Sequence, residues 1–285
     1  MAKTRQRSWV RPRGAAPASG QERLVPREDD PRPGARFYRA EYLMAHKILE
    51  EQGGVSLGSV LEVARNAQGW LTGQVANVWE RAKAPRVACQ EGCAWCCSLA
   101  ASAWPMELFV LASWLEEHRT PEELAGLRDR LRTAVVEGDR QRAAAPNRAR
   151  RVPCPLLAGE QCSAYAVRPA ACVGWNSADV APCQAYAEGN DEAHSVVEPL
   201  RFFSARAVSE AAAAAVADHG GPAFDRDGAG QGGAVDLSAG LLAVLELGAT
   251  KAAAAWLAGS PFLTGARERM ERPRLGRGAG GSPYP

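Results

Sequence analysis

The sequence predicts a mostly α-helical fold in which helices flank an irregular, cysteine-rich core. Apolar residues recur at helical spacing through much of residues 37–264. All eight cysteines lie between residues 89 and 183. No stretch of β-branched residues alternates for long enough to predict a sheet. The two ends, residues 1–36 and 265–285, lack a hydrophobic period, and we expect them to be disordered tails, the first of them basic.

Residues 37–84 are predicted to form the N-terminal helices. The first carries apolar residues at positions i, i+4, i+7 and i+11, which are Tyr38, Tyr42, Ala45 and Leu49. It is expected to end at Gly53-Gly54. The second is expected to run from about Leu57 to about Lys83, before Pro85.

Residues 85–187 are predicted to form the cysteine-bearing domain, which includes helices over about residues 105–144. Pro105 suits the first position of one helix, which ends near His118. The next helix begins with Thr120-Pro121-Glu122-Glu123, a capping box with proline at the first helical position.

Residues 188–264 are predicted to form two C-terminal helices, at about 192–218 and 236–258. Gly220 is a suitable residue to follow the end of the first helix. Asp236 is a suitable N-cap for the second.

Composition and charge indicate the cellular compartment of the protein and the classes of partner that it binds. The N-terminus is basic but leads into no apolar signal segment, and the longest apolar run has only seven residues, 211–217. We therefore expect a cytoplasmic protein without a membrane partner, in which thiols stay reduced. All but four of the 34 basic residues are arginine, which together with abundant alanine indicates a GC-rich bacterial genome. The net charge of +2 argues neither for nor against an acidic partner. We interpret the basic ends as solubilising tails and expect no nucleic-acid partner.

The cysteines fall into two stretches of the sequence. The N-terminal stretch contains Cys89, Cys93, Cys96 and Cys97, and the C-terminal stretch contains Cys154, Cys162, Cys172 and Cys183. Thiolates at such short spacing are typical ligands of a soft metal ion. An all-sulfur shell suits zinc or an iron–sulfur cluster and argues against magnesium or calcium. Buried structural thiols or disulfides are the alternative interpretation.

The adjacent pair Cys96-Cys97 is difficult to place on one mononuclear ion, because neighbouring side chains diverge. It favours a polynuclear cluster, two nearby sites, or one free thiol beside a site. The eight cysteines are enough for two Cys₄ sites, or for one four-ligand cluster with spare thiols, so the roles of Cys97 and Cys183 stay open. If the metal is purely structural, we expect it to tie together helices that otherwise share little core.

At these residues the chain resembles the CxxCxxCC zinc- or iron-chelating family, the YkgJ-like cysteine cluster proteins. The matching pieces are Cys89-x3-Cys93-x2-Cys96-Cys97, Cys154-Pro-Leu-Leu with Gly159 and Cys162, and Tyr165, Arg168-Pro169 and Cys172. The resemblance covers about residues 85–185 and departs from the family at Val173, where a basic residue is expected. It implies metal chelation, and for most members no defined reaction.

Two enzyme hypotheses stand beside metal chelation alone. Flagellin lysine-N-methylases carry a related cluster, which suggests a SAM-linked protein lysine methylase. The spacing Cys89-x3-Cys93-x2-Cys96 also matches the radical-SAM signature, but that signature follows the first strand of a parallel barrel, and here helices surround it. Tyr165 and Arg168, three residues apart, are predicted either to position an anionic ligand or to support the fold around the site.

Overall fold

The computed structural model describes residues 9–10, 25–74, 87–146, 150–190, 192–193, 199–223 and 230–270. These ranges contain ten α-helices: α1 Ala35–Glu51, α2 Leu57–Gly69, α3 Pro105–His118, α4 Pro121–Ala144, α5 Ala170–Gly174, α6 Val180–Ala187, α7 Pro199–Asp218, α8 Leu237–Leu247, α9 Ala249–Leu257 and α10 Thr264–Glu268. A π-helical turn, Trp70–Gln74, continues α2. The predicted mostly α-helical class is confirmed.

The β-structure in these ranges consists of three antiparallel pairs of two-residue strands. They are β1 Trp9–Val10 with β2 Val25–Pro26, β3 Ser102–Ala103 with β6 Val235–Asp236, and β4 Leu157–Ala158 with β5 Gln161–Cys162. The β3–β6 pair joins the segment directly after the first cysteines to the start of α8.

The starts of α3 and α4 follow from their sequences as predicted. Pro105 and Pro121 occupy first-turn positions, where a missing N–H costs no helical hydrogen bond. At α4 the Thr120 hydroxyl accepts from the Glu123 nitrogen at 3.2 Å. The Glu123 carboxylate accepts from the Thr120 nitrogen at 2.9 Å, which closes the capping box.

One hydrophobic core joins helices from all parts of the described chain. Helix α1 packs along α7, while α3 packs against α2, α8 and α9. The centre is formed by fully buried side chains such as Phe109, Leu111, Leu241 and Trp256. Since burial of apolar side chains is the main stabilising term in folding, this shared core holds the helices together through contacts that involve no metal ligand. The expectation that they share little core is wrong.

The helix predicted over 236–258 is two helices, because the chain turns at Gly248. Its φ of 85° and ψ of 140° lie in a region that residues with a side chain rarely adopt. The axes of α8 and α9 are bent by 102° at this point. No single helix in the described ranges is long and apolar enough to cross a membrane, and only α8 and α9 together reach that length and composition.

The parts of the two predicted tails that the structure describes contain ordered residues, which the sequence did not predict. Helix α10 extends into residues 265–285, with Ala266 buried. In the N-terminal segment, Asp30 binds the Arg32 guanidinium at 2.6 Å, and α1 begins at Ala35. The remainder of both tails lies outside the described residues. So do residues 75–83 of the second predicted helix and residues 194–198 before α7. The divisions at 84, 187 and 264 stay predictions.

Candidate metal centre

The first four cysteines lie on an irregular loop that ends in a 3₁₀ helix, Trp95–Ser98. Gly92 has a φ of 90°, which lets the chain turn between Cys89 and Cys93. The Cys93 nitrogen donates to Gln90 O at 3.0 Å and closes that turn. Cys96 and Cys97 then lie side by side within the 3₁₀ helix. The sequence therefore places four thiols on one short loop, as expected.

The backbone attaches the Cys154 segment directly to this loop. The Cys154 nitrogen donates to Cys97 O at 2.7 Å. An antiparallel bridge between Leu99 and Arg151 lies beside that bond. Strands β4 and β5 then fold back as a hairpin in which Cys162 is opposite Leu157. Cys154 and Cys162 are thus carried on the same small hairpin unit.

Cys172 is placed by α5, which packs closely on α7. Gly174 makes this approach possible, since a Cβ at that position would lie 3.0 Å from Ala205 Cβ and 3.2 Å from Phe202 O. The Cys172 nitrogen donates to Pro169 O at 2.9 Å in the first turn. The backbone of Cys172 is therefore held in place by helix packing.

A buried glutamate holds the start of α5 in place. Glu107, in the first turn of α3, accepts from the Ala170 nitrogen at 2.7 Å and from the Ser209 hydroxyl at 2.6 Å. Its other oxygen accepts from the Trp104 nitrogen at 2.8 Å. The sequence did not predict this role of Glu107. The only local signal is one acid within an apolar run, residues 104–111, and that signal does not reveal its long-range partners.

The chain after α5 contacts the loop at Cys89 and brings Cys183 next to it. The Ser177 nitrogen donates to Cys89 Sγ at 3.2 Å, and the Ala88 nitrogen donates to Ser177 O at 2.8 Å. Cys183 lies on α6, whose N-cap Asp179 accepts from the Ala181 nitrogen at 3.0 Å. Helix α6 packs against the 3₁₀ helix that carries Cys96 and Cys97. Cys183 is therefore near the loop despite its distance in sequence.

The thiols affect one another's pKa values in two sets that overlap at Cys96. Burial raises the pKa of Cys89, and the hydrogen bond from Ser177 lowers it. Three neighbouring thiolates raise it further, and they are Cys93, Cys96 and Cys183. We call Cys89, Cys93 and Cys183 the first group.

The second group is Cys154, Cys162 and Cys172. Burial raises the pKa of Cys154 to about 11, with further increases from the thiolates of Cys162 and Cys96. Burial also raises the pKa of Cys172 well above its ordinary value, and the thiolates of Cys154, Cys96 and Cys162 add to this effect. The same residue, Cys96, thus acts on members of both groups.

Cys96 and Cys97 form a linking pair between the groups. The pKa of Cys96 is raised first by its hydrogen bond with the Cys97 side chain, then by burial and by the Cys97 charge. Crowded, half-buried thiols of this kind resist ionisation unless a cation compensates the negative charge. A bound metal ion supplies that charge and displaces the protons.

The segments that carry the eight thiols lie next to each other, but the thiols do not converge on a common point in the described structure. All eight are free thiols of intermediate exposure. Within the described residues, no three Cys, His, Asp or Glu side chains stand in the arrangement of a formed metal site. Coordination therefore requires the thiols to rotate about their χ1 angles, while the backbone already brings their segments together. The donor set fits a soft ion, because it consists of sulfur alone.

Comparison with known proteins gives one match. Residues 88–193 match the model of the CxxCxxCC family, described as a "putative zinc- or iron-chelating domain". The match confirms the resemblance and contains all eight cysteines, both groups and the linking pair. It covers a little over one third of the chain, so α1, α2 and α7–α10 lie outside it. No curated protein and no solved structure matches the chain.

Proposed function

We propose that residues 88–193 chelate two metal ions, zinc or iron, with four thiolates at each site. The observation that carries the proposal is the division of eight gathered thiols into two groups of three and a linking pair. Each group lacks one ligand of a four-sulfur shell, which is the usual shell of structural zinc and of iron–sulfur clusters. The linking pair supplies one ligand to each.

Cys96 is the proposed fourth ligand of the second site. Its charge raises the pKa values of all three members of the second group, Cys154, Cys162 and Cys172, and of one member of the first group, Cys89. The bond from the Cys154 nitrogen to Cys97 O, at 2.7 Å, keeps the Cys154 segment next to the 3₁₀ helix. The second site would therefore unite the loop, the β4–β5 hairpin and α5.

Cys97 is the proposed fourth ligand of the first site, with Cys89, Cys93 and Cys183. The hydrogen bond between the Cys96 and Cys97 side chains would be replaced by bonds to metal, with one member of the linking pair on each ion. The contact between α6 and the 3₁₀ helix supports the inclusion of Cys183. This assignment gives a role to both cysteines whose participation the sequence left open.

Chelation requires reduced thiols, so we propose a reducing compartment such as the cytoplasm. Neither enzyme hypothesis gains support from the described residues. The three sheets in those ranges are antiparallel pairs, whereas a radical-SAM enzyme needs a parallel barrel. No described feature favours methyl transfer to a protein lysine, and that hypothesis rests on the sequence alone.

The first experiment is purification without oxygen and with a thiol reductant, followed by elemental analysis and a visible spectrum. We expect two zinc ions per chain in a colourless protein, or iron with acid-labile sulfide in a brown one. The spectrum distinguishes the two metals, because iron–sulfur clusters absorb visible light and zinc does not. A reduced, folded chain that retains neither metal would overturn the proposal.

The second experiment removes one ligand from each site. We expect Cys172→Ser and Cys183→Ser each to lose one of the two sites. Ser163→Ala is the matched control, because Ser163 lies beside Cys162 in the same hairpin unit and carries no thiol. Full metal content in Cys183→Ser would exclude Cys183 from the ligands. Loss of all metal from either single variant would indicate one polynuclear cluster instead of two sites.

A further inference from the structure

Two histidines from distant parts of the chain meet where α1 packs along α7. His46 lies in the C-terminal half of α1, and His219 directly follows α7. The Nδ1 atom of His46 and the Nε2 atom of His219 are 2.9 Å apart, and the two rings are nearly perpendicular, at 87°. Neither histidine belongs to residues 88–193, the segment that matches the chelating family. The pair therefore lies in a part of the chain whose function the family match leaves open.

Regular structure and packing hold both histidines in place. The His219 nitrogen donates to Ala215 O at 3.1 Å, which continues the helical hydrogen bonds by one residue past the end of α7. The ring of His46 lies edge-on to the ring of Tyr42, with 5.9 Å between the ring centres. The His46 side chain is only 8% exposed. Two potential ligands are thus carried on rigid elements, which is what a defined binding site requires.

A carboxylate lies next to the same nitrogen. Glu50 follows His46 by one helical turn, and its Oε1 atom is 3.5 Å from His46 Nδ1. Within the described ranges, His46 is the only ion-pair partner of Glu50, whereas Lys47 pairs with Glu51 at 3.7 Å. The Glu50 side chain is 59% exposed, so it can change its rotamer without disturbing the core. The histidine pair therefore has an adjustable acidic neighbour.

The separations between these three atoms suit a metal ion better than a proton. One proton satisfies the bond between the two nitrogens, but it does not also satisfy the carboxylate. A metal ion accepts lone pairs from all three atoms. Ligand atoms about 2.0–2.2 Å from one zinc ion lie about 2.9–3.5 Å apart when their bonds meet at roughly 90–110°. Both measured separations, 2.9 Å and 3.5 Å, fall in this range.

We infer that His46, His219 and Glu50 bind a divalent transition-metal ion, such as zinc or nickel, through two nitrogens and one oxygen. The three side chains are not yet closed around a point in the described structure. Closure requires small rotations of the two rings and a new rotamer of the exposed Glu50. Three protein ligands leave a coordination position for water. No ligand of this site is a thiol, so the inference goes beyond the proposed function and does not depend on it.

The test is a zinc titration of the full chain after its thiols have been loaded. The protein is saturated with zinc in the presence of a reductant that has no thiol, and the excess ion is removed by desalting. Zinc is then added again in a titration calorimeter. We expect one further ion to bind per chain, with a rise in melting temperature, because the ion stabilises the folded state. A wild-type chain that takes up no further zinc would overturn the inference.

Two variants each remove one ligand, and each has a matched control. We expect Glu50→Gln and His219→Gln to bind the further ion more than about 10-fold more weakly, because loss of a residue that merely supports a ligand already costs that much. Glu51→Gln is the control for the first, since Glu51 is exposed on the same helix. His118→Gln is the control for the second, since His118 stacks on Trp114 at the surface. Both controls should bind as the wild type does.

Unchanged zinc binding in either ligand variant would overturn the inference, as would equal weakening in a variant and its control. Glu50 is exposed, so Glu50→Gln is expected to fold even if His219→Gln does not. Circular dichroism checks both proteins. The first loading step tests the proposed function separately. A chain that retains no metal on its thiols would overturn that proposal, and the second titration would still decide whether the histidine site exists.

Discussion

The Cys154 nitrogen donates a hydrogen bond to the carbonyl oxygen of Cys97 at 2.7 Å. This bond joins the two cysteine-bearing segments through the backbone alone. Together with the shared helical core, it gives the two segments contacts that do not involve a metal ligand. Small zinc modules lack such a core, and their folding depends on the ion.

We therefore expect the metal-free chain to remain helical. Removal of metal by a strong chelator, with reductant present, should leave the far-ultraviolet circular dichroism spectrum nearly unchanged. The melting temperature should fall, because the ion binds the folded state and stabilises it. The control is the same chelator saturated with metal beforehand. Collapse of the helical signal on chelation would show that the core is insufficient without the ion.

We expect Glu107→Gln to destabilise the fold by about 2–3 kcal/mol. A glutamine retains one acceptor oxygen, and its NH₂ group then faces an N–H donor, of Trp104 or of Ala170. Urea denaturation measures the change in the free energy of unfolding. Glu246→Gln is the control, because Glu246 belongs to an exposed ion pair and should change stability by less than about 1 kcal/mol. Equal effects of the two substitutions would refute the role given to Glu107.

Glu41 is expected to make the stability of the fold depend on pH. Its side chain is fully buried, neither oxygen has a hydrogen-bond partner in the described structure, and burial raises its pKa from 4.5 to about 9. The folded state therefore retains a proton that the unfolded state releases above pH 4.5, and stability falls as pH rises from there toward 9. At pH 7 the loss is about 3 kcal/mol relative to acidic solution.

Glu41→Gln should remove this dependence, because an amide has a similar shape and does not titrate. We expect the variant to be about 2–3 kcal/mol more stable than the wild type at pH 7, with the two proteins converging near pH 4.5. Denaturation at several pH values checks this. Glu51→Gln is the control, since Glu51 is exposed on the same helix. Identical pH profiles for the wild type and Glu41→Gln would contradict the expectation.

His46, in the C-terminal half of α1, and His219, directly after α7, form a pair. This pair is expected to change stability with pH in the direction opposite to that of Glu41. His219 Nε2 lies 2.9 Å from His46 Nδ1, a distance that requires a single shared proton. Burial lowers the pKa of His219 and the charge of His46 lowers it further, while the carboxylates of Glu50 and Asp218 oppose the shift. The folded state therefore favours neutral His219. Its contribution to stability is present above the ordinary pKa of 6.5 and is lost as pH falls below it.

We expect His219→Gln to lose less stability than the wild type between pH 7 and pH 5. The measurement is the difference in melting temperature between the two proteins at each pH, so that the effect of other groups cancels. His118→Gln is the control, because His118 lies on the surface, where it stacks on Trp114. A wild type and a His219→Gln variant with parallel pH profiles would show that the pair does not influence stability.

Local signals in the sequence were sufficient to predict α1, α2, α3, α4 and α7, but not the short helices α5, α6 and α10. Helices α3 and α4 begin where proline and capping residues predict, because those residues act within one turn. The break at Gly248 was not predicted, since one glycine within an apolar helical pattern is a weak signal. The φ and ψ angles at that residue are set by the packing of α8 and α9 in the core, which the local pattern does not contain.

The candidate site shows the same limit. Spacing alone identifies the cysteines as a set, and the family match covers the same residues. Their division into two groups depends on contacts between distant segments, such as Ala88 with Ser177 and Cys97 with Cys154. The buried carboxylate of Glu107 was missed for a related reason. Its partners Ala170 and Ser209 are 63 and 102 residues away in the chain.

The pairing of β3 with β6 sets an order of events during translation. Ser102, just after the cysteine loop, is opposite Asp236 near the start of α8. Because the ribosome makes the chain from its N-terminus, all eight cysteines emerge well before β6, α8 and α9 are synthesised. A nascent chain thus presents its thiols before the helices that cover α3 are complete.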